Sequence, residues 1–147
     1  MTRTQINEKE RWDERPSLKD CILNNRPLTG MRVLIVEEEA IVAMDLEEFC
    51  KENGAQDVVI ATNLSRLSSE LLEPRPHVAV LDTKIGGAST REFAALLHAA
   101  SIPFAFASGY TADQTFFQEF PQAPVLEKPF ANEHLLEVLV SLSAVKS

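Results

Sequence analysis

From Arg32 onward, short apolar runs alternate with segments whose apolar residues recur every three or four positions. A short apolar run bounded by turn residues reads as a buried strand, and the longer period reads as an amphipathic helix. Strands are therefore expected at 32–36, 57–61, 77–81, 102–107 and 124–127. Helices are expected near 39–52, 64–73, 89–99 and 131–143. In the first helix Ile41, Val42, Ala43, Met44, Leu46, Phe49 and Cys50 form a broad apolar face, closed by Gly54. Asn63 is the expected cap of the second helix, which should end before Pro74. Segment 111–120 has no clear period. Within it, Phe116 and Phe120 are expected in the core, with Phe117 facing outward as a partner contact.

Five strand–helix units on about 115 residues imply a parallel sheet covered on both faces. With so few strands, a doubly wound α/β sheet of order 2-1-3-4-5 fits better than a closed barrel. Its switch point lies between the first and third strands, where ligands bind at the carboxyl ends. Residues 1–30 are polar and lack a sustained period. They are read as a flexible N-terminal extension with one short helical turn at 17–23, leaving 31–147 as a single domain.

Composition narrows the function. The chain has 147 residues, 45% of them apolar, and a net charge of -8. Residues 1–30 carry net +1 and residues 31–147 carry net -9. Such a body repels a phosphate backbone, so no nucleic-acid partner is expected. No apolar stretch is long enough for a membrane span and the N-terminus does not resemble a signal peptide, which points to a cytoplasmic protein. Cys21 and Cys50 follow no metal spacing and read as reduced thiols. His77, His98 and His134 share no spacing and receive no catalytic role.

Charged residues collect at the strand ends. Glu37, Glu38 and Glu39 follow the first strand, Asp82 follows the third, and Lys128 follows the fifth. Taken singly, each has an ordinary explanation. The glutamates suit a helix N-terminus, Asp82 a turn, and Lys128-Pro129 a helix entry. Taken together, they face one crevice. Two like charges 4 Å apart repel by about 4 kcal/mol at an effective dielectric of 20, which a hard cation such as Mg²⁺ relieves. An aspartate beside Mg²⁺ and a fixed ammonium is equipped to attack phosphorus. Ser108, at the end of the fourth strand, adds a hydroxyl for a phosphoryl oxygen. Lys84 either pairs with Glu37 or Glu38 at the mouth of the crevice or stands solvated.

Four segments carry a family resemblance: VLIVEEEAIVAMDLEE (33–48), VAVLDTKIGG (78–87), FAFASGY (104–110) and LEKPF (126–130). As an ordered set they resemble the receiver domains of two-component response regulators, which have a flavodoxin-like fold. Pro103–Tyr110 is similar to the PFxFATGY signature of a subgroup of mostly single-domain receivers. The resemblance implies that Asp82 accepts a phosphoryl group from a histidine kinase or phosphotransfer protein. It implies that Mg²⁺ is held by Glu38 directly, by Glu37 mainly through water, by Asp82 and by the Lys84 backbone carbonyl. Ser108 and Lys128 would bind phosphoryl oxygens, Ser108 and Tyr110 would act as switch residues, and Lys128-Pro129 would be cis.

Three positions depart from the family pattern. Glu38 stands where Asp is usual, Ser108 where Thr is commoner, and Val125 where many receivers carry an aromatic residue. The expected role is a signalling switch rather than an enzyme, with output through a downstream protein or through relay of phosphoryl groups. Its switch surface is expected around 111–120, 124–127 and the last helix. The alternative is a phosphorylation-independent interaction module on the same fold. A phosphohydrolase is disfavoured, because the second acid it needs two residues after Asp82 is Lys84.

Overall fold

The computed structural model describes residues 26–109 and 117–144. Residues 1–25 of the extension, with Cys21 and the helical turn expected at 17–23, the switch candidate Tyr110 and the expected core residue Phe116 lie outside the described residues. Five parallel strands form the sheet: β1 (Arg32–Val36), β2 (Asp57–Ala61), β3 (Val78–Asp82), β6 (Phe104–Ser108) and β7 (Val125–Glu127). Their order is β2-β1-β3-β6-β7, which is the expected doubly wound arrangement 2-1-3-4-5. Among the described residues, three α-helices pack on it: α1 (Ala40–Glu52), α2 (Arg91–Ala99) and α3 (Asn132–Ala144).

Strand side chains alternate between two apolar layers. Val33 and Ile35 join Leu46, Cys50, Leu135 and Leu139, so α1 and α3 cover one face. Leu34 and Val36 join Phe93, Leu97 and Phe106, so α2 covers the other. The central strands β3 and β6 are buried along their whole length, whereas the edge strand β7 exposes every second residue. Continuous Val, Ile, Leu and Phe runs suit a strand covered on both sides.

Four expectations change. The helix expected near 64–73 is replaced by two 3₁₀ turns, Leu64–Arg66 and Ser69–Leu72. Ser65 bonds the Asn63 side chain at 2.6 Å, and Ser68 stands extended and accepts the Glu70 N–H at 3.3 Å. Short polar side chains that capture local partners compete with the α-helical ladder. Second, α1 buries Ala43, Leu46 and Cys50, while Ile41 and Met44 are exposed. The apolar face is thus a narrow stripe at i, i+3 and i+7.

Third, Phe117 turns inward. Its ring lies 5.5 Å from that of Phe106, beside Phe120, because the α2 face of the sheet still has apolar surface to cover there. Fourth, packing begins before residue 31. Leu28 is fully buried in the α1 layer, and its N–H donates to the Asn53 carbonyl at 2.8 Å. Gly54 follows that cap with φ of +99°, and a Cβ there would meet Thr29 Oγ1 at 2.8 Å. Leu28→Ala should therefore destabilise the fold by about 2–5 kcal/mol in urea unfolding, the cost of a buried leucine cavity. A leucine in an extension outside the fold would cost almost nothing.

Candidate functional site

Strand register assembles the site. Val36 pairs with Leu81, so the next residues, Glu37 and Asp82, leave the sheet side by side. Asp82 pairs with Ala107, and Ser108 pairs with Glu127, which places Ser108 and Lys128 at the same edge. The Lys128 N–H donates to the Ser108 carbonyl at 2.9 Å, and the Lys128-Pro129 bond is cis.

Lys128 Nζ donates to Glu37 Oε1 at 2.8 Å and to Asp82 Oδ2 at 3.0 Å. One ammonium therefore serves two carboxylates, and both acids are buried, Glu37 at 3% and Asp82 at 8% exposure. Burial raises the Asp82 pKa above its ordinary value. The Lys128 hydrogen bond and charge oppose that rise, as does the Lys84 N–H, and the nearby Glu37 charge adds to it. For Lys128, burial acts downward, but its bonds and charge interactions with Glu37 and Asp82 leave its pKa raised. The trio carries one excess negative charge.

The loop after Asp82 is a short antiparallel hairpin, β4 (Lys84–Ile85) with β5 (Ala88–Ser89). Gly86 and Gly87 form its turn at φ of +60° and +80°, a conformation that suits glycine. Thr90 closes the base, donating its hydroxyl to the Asp82 carbonyl at 2.5 Å. Asp82 Oδ1 accepts the Lys84 N–H at 3.3 Å. The Lys84 side chain is exposed and pairs with no carboxylate among the described residues, which is the solvated alternative.

Glu38 is placed differently from the sequence expectation. It is exposed, and its Oε1 accepts the Gly86 N–H at 2.6 Å. Glu37 is the inward acid instead, and its Oε2 also accepts the Glu39 N–H at 2.9 Å. Ser108 is buried beside the crevice, and its hydroxyl donates to the Gly109 carbonyl at 2.8 Å. Sequence reasoning missed Thr90 and the hairpin itself. The Gly-Gly pair between two short extended segments was a signal for the hairpin.

The fold family implies a divalent cation, and the donor chemistry suits one. Glu37 and Asp82 offer hard oxygen ligands with one excess negative charge, and Mg²⁺ is commonly held by one or two carboxylates plus waters and phosphate. Among the described residues, however, no three acidic, histidine or cysteine side chains converge into a ready cage. Beside the site, a groove of 590 Å³ runs between α1 and the start of α3. Val42, Phe49 and Phe130 line it, together with Glu39, Glu48 and Lys128.

Other reactive residues have structural roles. His77 Nδ1 accepts the Arg32 N–H at 2.8 Å. Burial pushes the Cys50 thiol up to about 12, which leaves it protonated and unreactive. No helix among the described residues is long and apolar enough to cross a membrane.

No protein-family model matches the sequence, and no curated protein matches it. Solved structures do. A response regulator receiver protein from Sinorhizobium medicae WSM419 is 19% identical, with 80% of this chain and 97% of that one covered and a TM-score of 0.68. SdrG from Sphingomonas melonis Fr1 is 30% identical, with 76% and 95% covered and a TM-score of 0.64. The receiver domain of the Francisella response regulator 1452 is 17% identical, with 77% and 96% covered and a TM-score of 0.62.

Two stability measurements probe the charge cluster. Lys128→Met leaves two buried carboxylates uncompensated. It should cost about 2–3 kcal/mol, less than for a fully buried pair because the lysine is partly exposed. Asp82→Asn removes a carboxylate whose folded pKa is raised. Such a group opposes folding above that pKa, and its effect fades as pH falls through it. The variant should therefore melt roughly 2–5 °C higher near neutral pH, with the gain shrinking in acid; an unchanged or lower Tm would contradict the assignment.

Proposed function

We propose, for a chain that has the response regulator receiver fold, that Asp82 accepts a phosphoryl group and that the domain is a phosphorylation-dependent switch. The observation that carries this reading is the Glu37–Lys128–Asp82 cluster, two buried acids sharing one ammonium, at the carboxyl ends of β1, β3 and β7. A structural aspartate would not need a second buried acid and a shared ammonium at a sheet switch point.

In this reading an Asp82 carboxylate oxygen attacks phosphorus, forming an acyl phosphate. The bond to the donor breaks, a P–N bond for phosphohistidine, and the leaving group keeps the electron pair. Desolvation makes the Asp82 carboxylate more basic and more nucleophilic, while Lys128 favours its ionised form. Lys128 then neutralises charge on the transferred group, and rotation of the Ser108 hydroxyl away from Gly109 supplies a hydrogen bond to it. Glu37, Asp82 and the Lys84 carbonyl, joined by Glu38 once it leaves Gly86, would hold Mg²⁺, which would supply charge neutralisation for phosphoryl transfer.

The donor would be a sensor histidine kinase or a phosphotransfer protein. The groove beside Lys128 is lined by apolar and acidic side chains, which suits a protein surface carrying apolar and basic groups better than a free anion. The PFAFASGY run supports membership of the PFxFATGY subgroup. Output would pass to a downstream protein, or the domain would relay phosphoryl groups.

One observation favours a second reading, a phosphorylation-independent interaction module. Glu38, the acid at the usual metal position, is engaged by Gly86. Incubation with acetyl phosphate and Mg²⁺, followed by intact mass measurement, separates the two readings. The expected result is one added phosphoryl group, absent in Asp82→Asn. Failure to form the adduct, repeated with a cognate kinase, leaves the interaction module as the function.

A further inference from the structure

The hairpin after Asp82 is fixed unevenly. Its base is secured three times: Thr90 bonds the Asp82 carbonyl, the Thr90 N–H donates to the Thr83 carbonyl at 3.1 Å, and the Thr83 N–H donates to the Ala107 carbonyl at 3.3 Å. Ile85 is buried in the α2-side core. The tip stands clear. A Cβ built on Gly86 or on Gly87 would meet nothing within 4 Å. Among the described residues, the tip's polar tether to the rest of the fold is the 2.6 Å bond from the Gly86 N–H to Glu38.

The geometry points to Glu38 as a latch. We propose that its carboxylate holds the tip of the Lys84–Ser89 hairpin beside the Asp82 crevice, and that it must let go before it can serve a cation there. Side-chain length makes the latch specific. Aspartate is one methylene shorter, roughly 1.5 Å. At the same backbone position its carboxylate would lie about 4 Å from the Gly86 nitrogen, outside hydrogen-bond range. The glutamate at 38 thus has a structural reason: it spans the distance from the end of β1 to the hairpin. Because no three acids among the described residues converge on the crevice while the latch is closed, drawing Glu38 inward means breaking its bond to Gly86. Cation loading and hairpin release are then linked equilibria.

Only the release step rests on the metal-dependent reading above. The latch itself is a property of the cation-free protein, and Glu38 acts as a positioning residue. The test compares water exchange of the Gly86 amide, measured by NMR, in the wild type, Glu38→Asp and Glu38→Gln. Glutamine keeps the length and an acceptor oxygen but loses the charge. In cation-free buffer, Gly86 exchange should be roughly tenfold faster in Glu38→Asp, the loss of a charge-assisted bond, and only modestly faster in Glu38→Gln. Equal exchange in the wild type and Glu38→Asp would overturn the latch, as would Glu38→Gln exchanging as fast as Glu38→Asp.

Mn²⁺ binding, followed by electron paramagnetic resonance, addresses release. Glu38→Asp should bind Mn²⁺ more tightly than the wild type, because no latch has to open, and Glu38→Gln more weakly. Saturating Mg²⁺ should speed Gly86 exchange in the wild type. Slower or unchanged exchange in a protein that binds Mn²⁺ refutes release. Absence of Mn²⁺ binding in all three proteins refutes release and the metal-dependent reading together, while the cation-free comparison still decides the latch. Neither arm uses a phosphoryl donor, so failure of Asp82 to be phosphorylated is a separate result.

Discussion

The site is organised by one ammonium shared between two buried carboxylates. Glu37 and Asp82 leave adjacent parallel strands side by side, and without Lys128 their repulsion would act in a desolvated crevice. The lysine arrives from the edge strand, far along the chain, so charge balance at the switch point depends on β1, β3, β6 and β7 taking their places side by side. Fold and chemistry are thereby coupled. The sheet order brings the charges together, and their mutual satisfaction helps the central strands tolerate buried acids.

That arrangement also leaves the site unfinished. One excess negative charge remains, Asp82 sits above its ordinary pKa through burial, and the Ser108 hydroxyl is spent on a neighbouring carbonyl. Each feature is a modest cost to the resting fold and, in the function proposed, a resource for a bound cation or phosphoryl group. Local departures from the most stable arrangement concentrate where function is performed. The surrounding scaffold is conventional by comparison: two apolar layers, alternating strand side chains and an inert buried thiol.

Much of this was readable along the chain. The strands at 32–36 and 57–61 were legible to the residue, because covered parallel strands need unbroken apolar runs. Asp82, Ser108 and Lys128 were legible as strand-end residues on a crevice. The 64–73 segment was not, since its apolar spacing resembles a helix while Asn63, Ser65 and Ser68 capture local hydrogen bonds that break one. Phe117 was misjudged because a segment without a period gives no face, and only the exposed apolar surface of the sheet assigned it inward. Leu28 lay hidden in a polar context whose composition outweighed one residue's packing.

The sequence by itself determined the order of the strands, the doubly wound topology and the set of groups at the strand ends. These follow from period, length and turn residues, which act between near neighbours. Which of two adjacent acids faces inward was decided only by the tertiary structure. Glu37 and Glu38 are chemically identical and consecutive, yet one meets Lys128 and the other meets Gly86. Their partners come from segments 91 and 48 residues away, and a side chain's direction is set by where such donors stand in space. No local pattern carries that information.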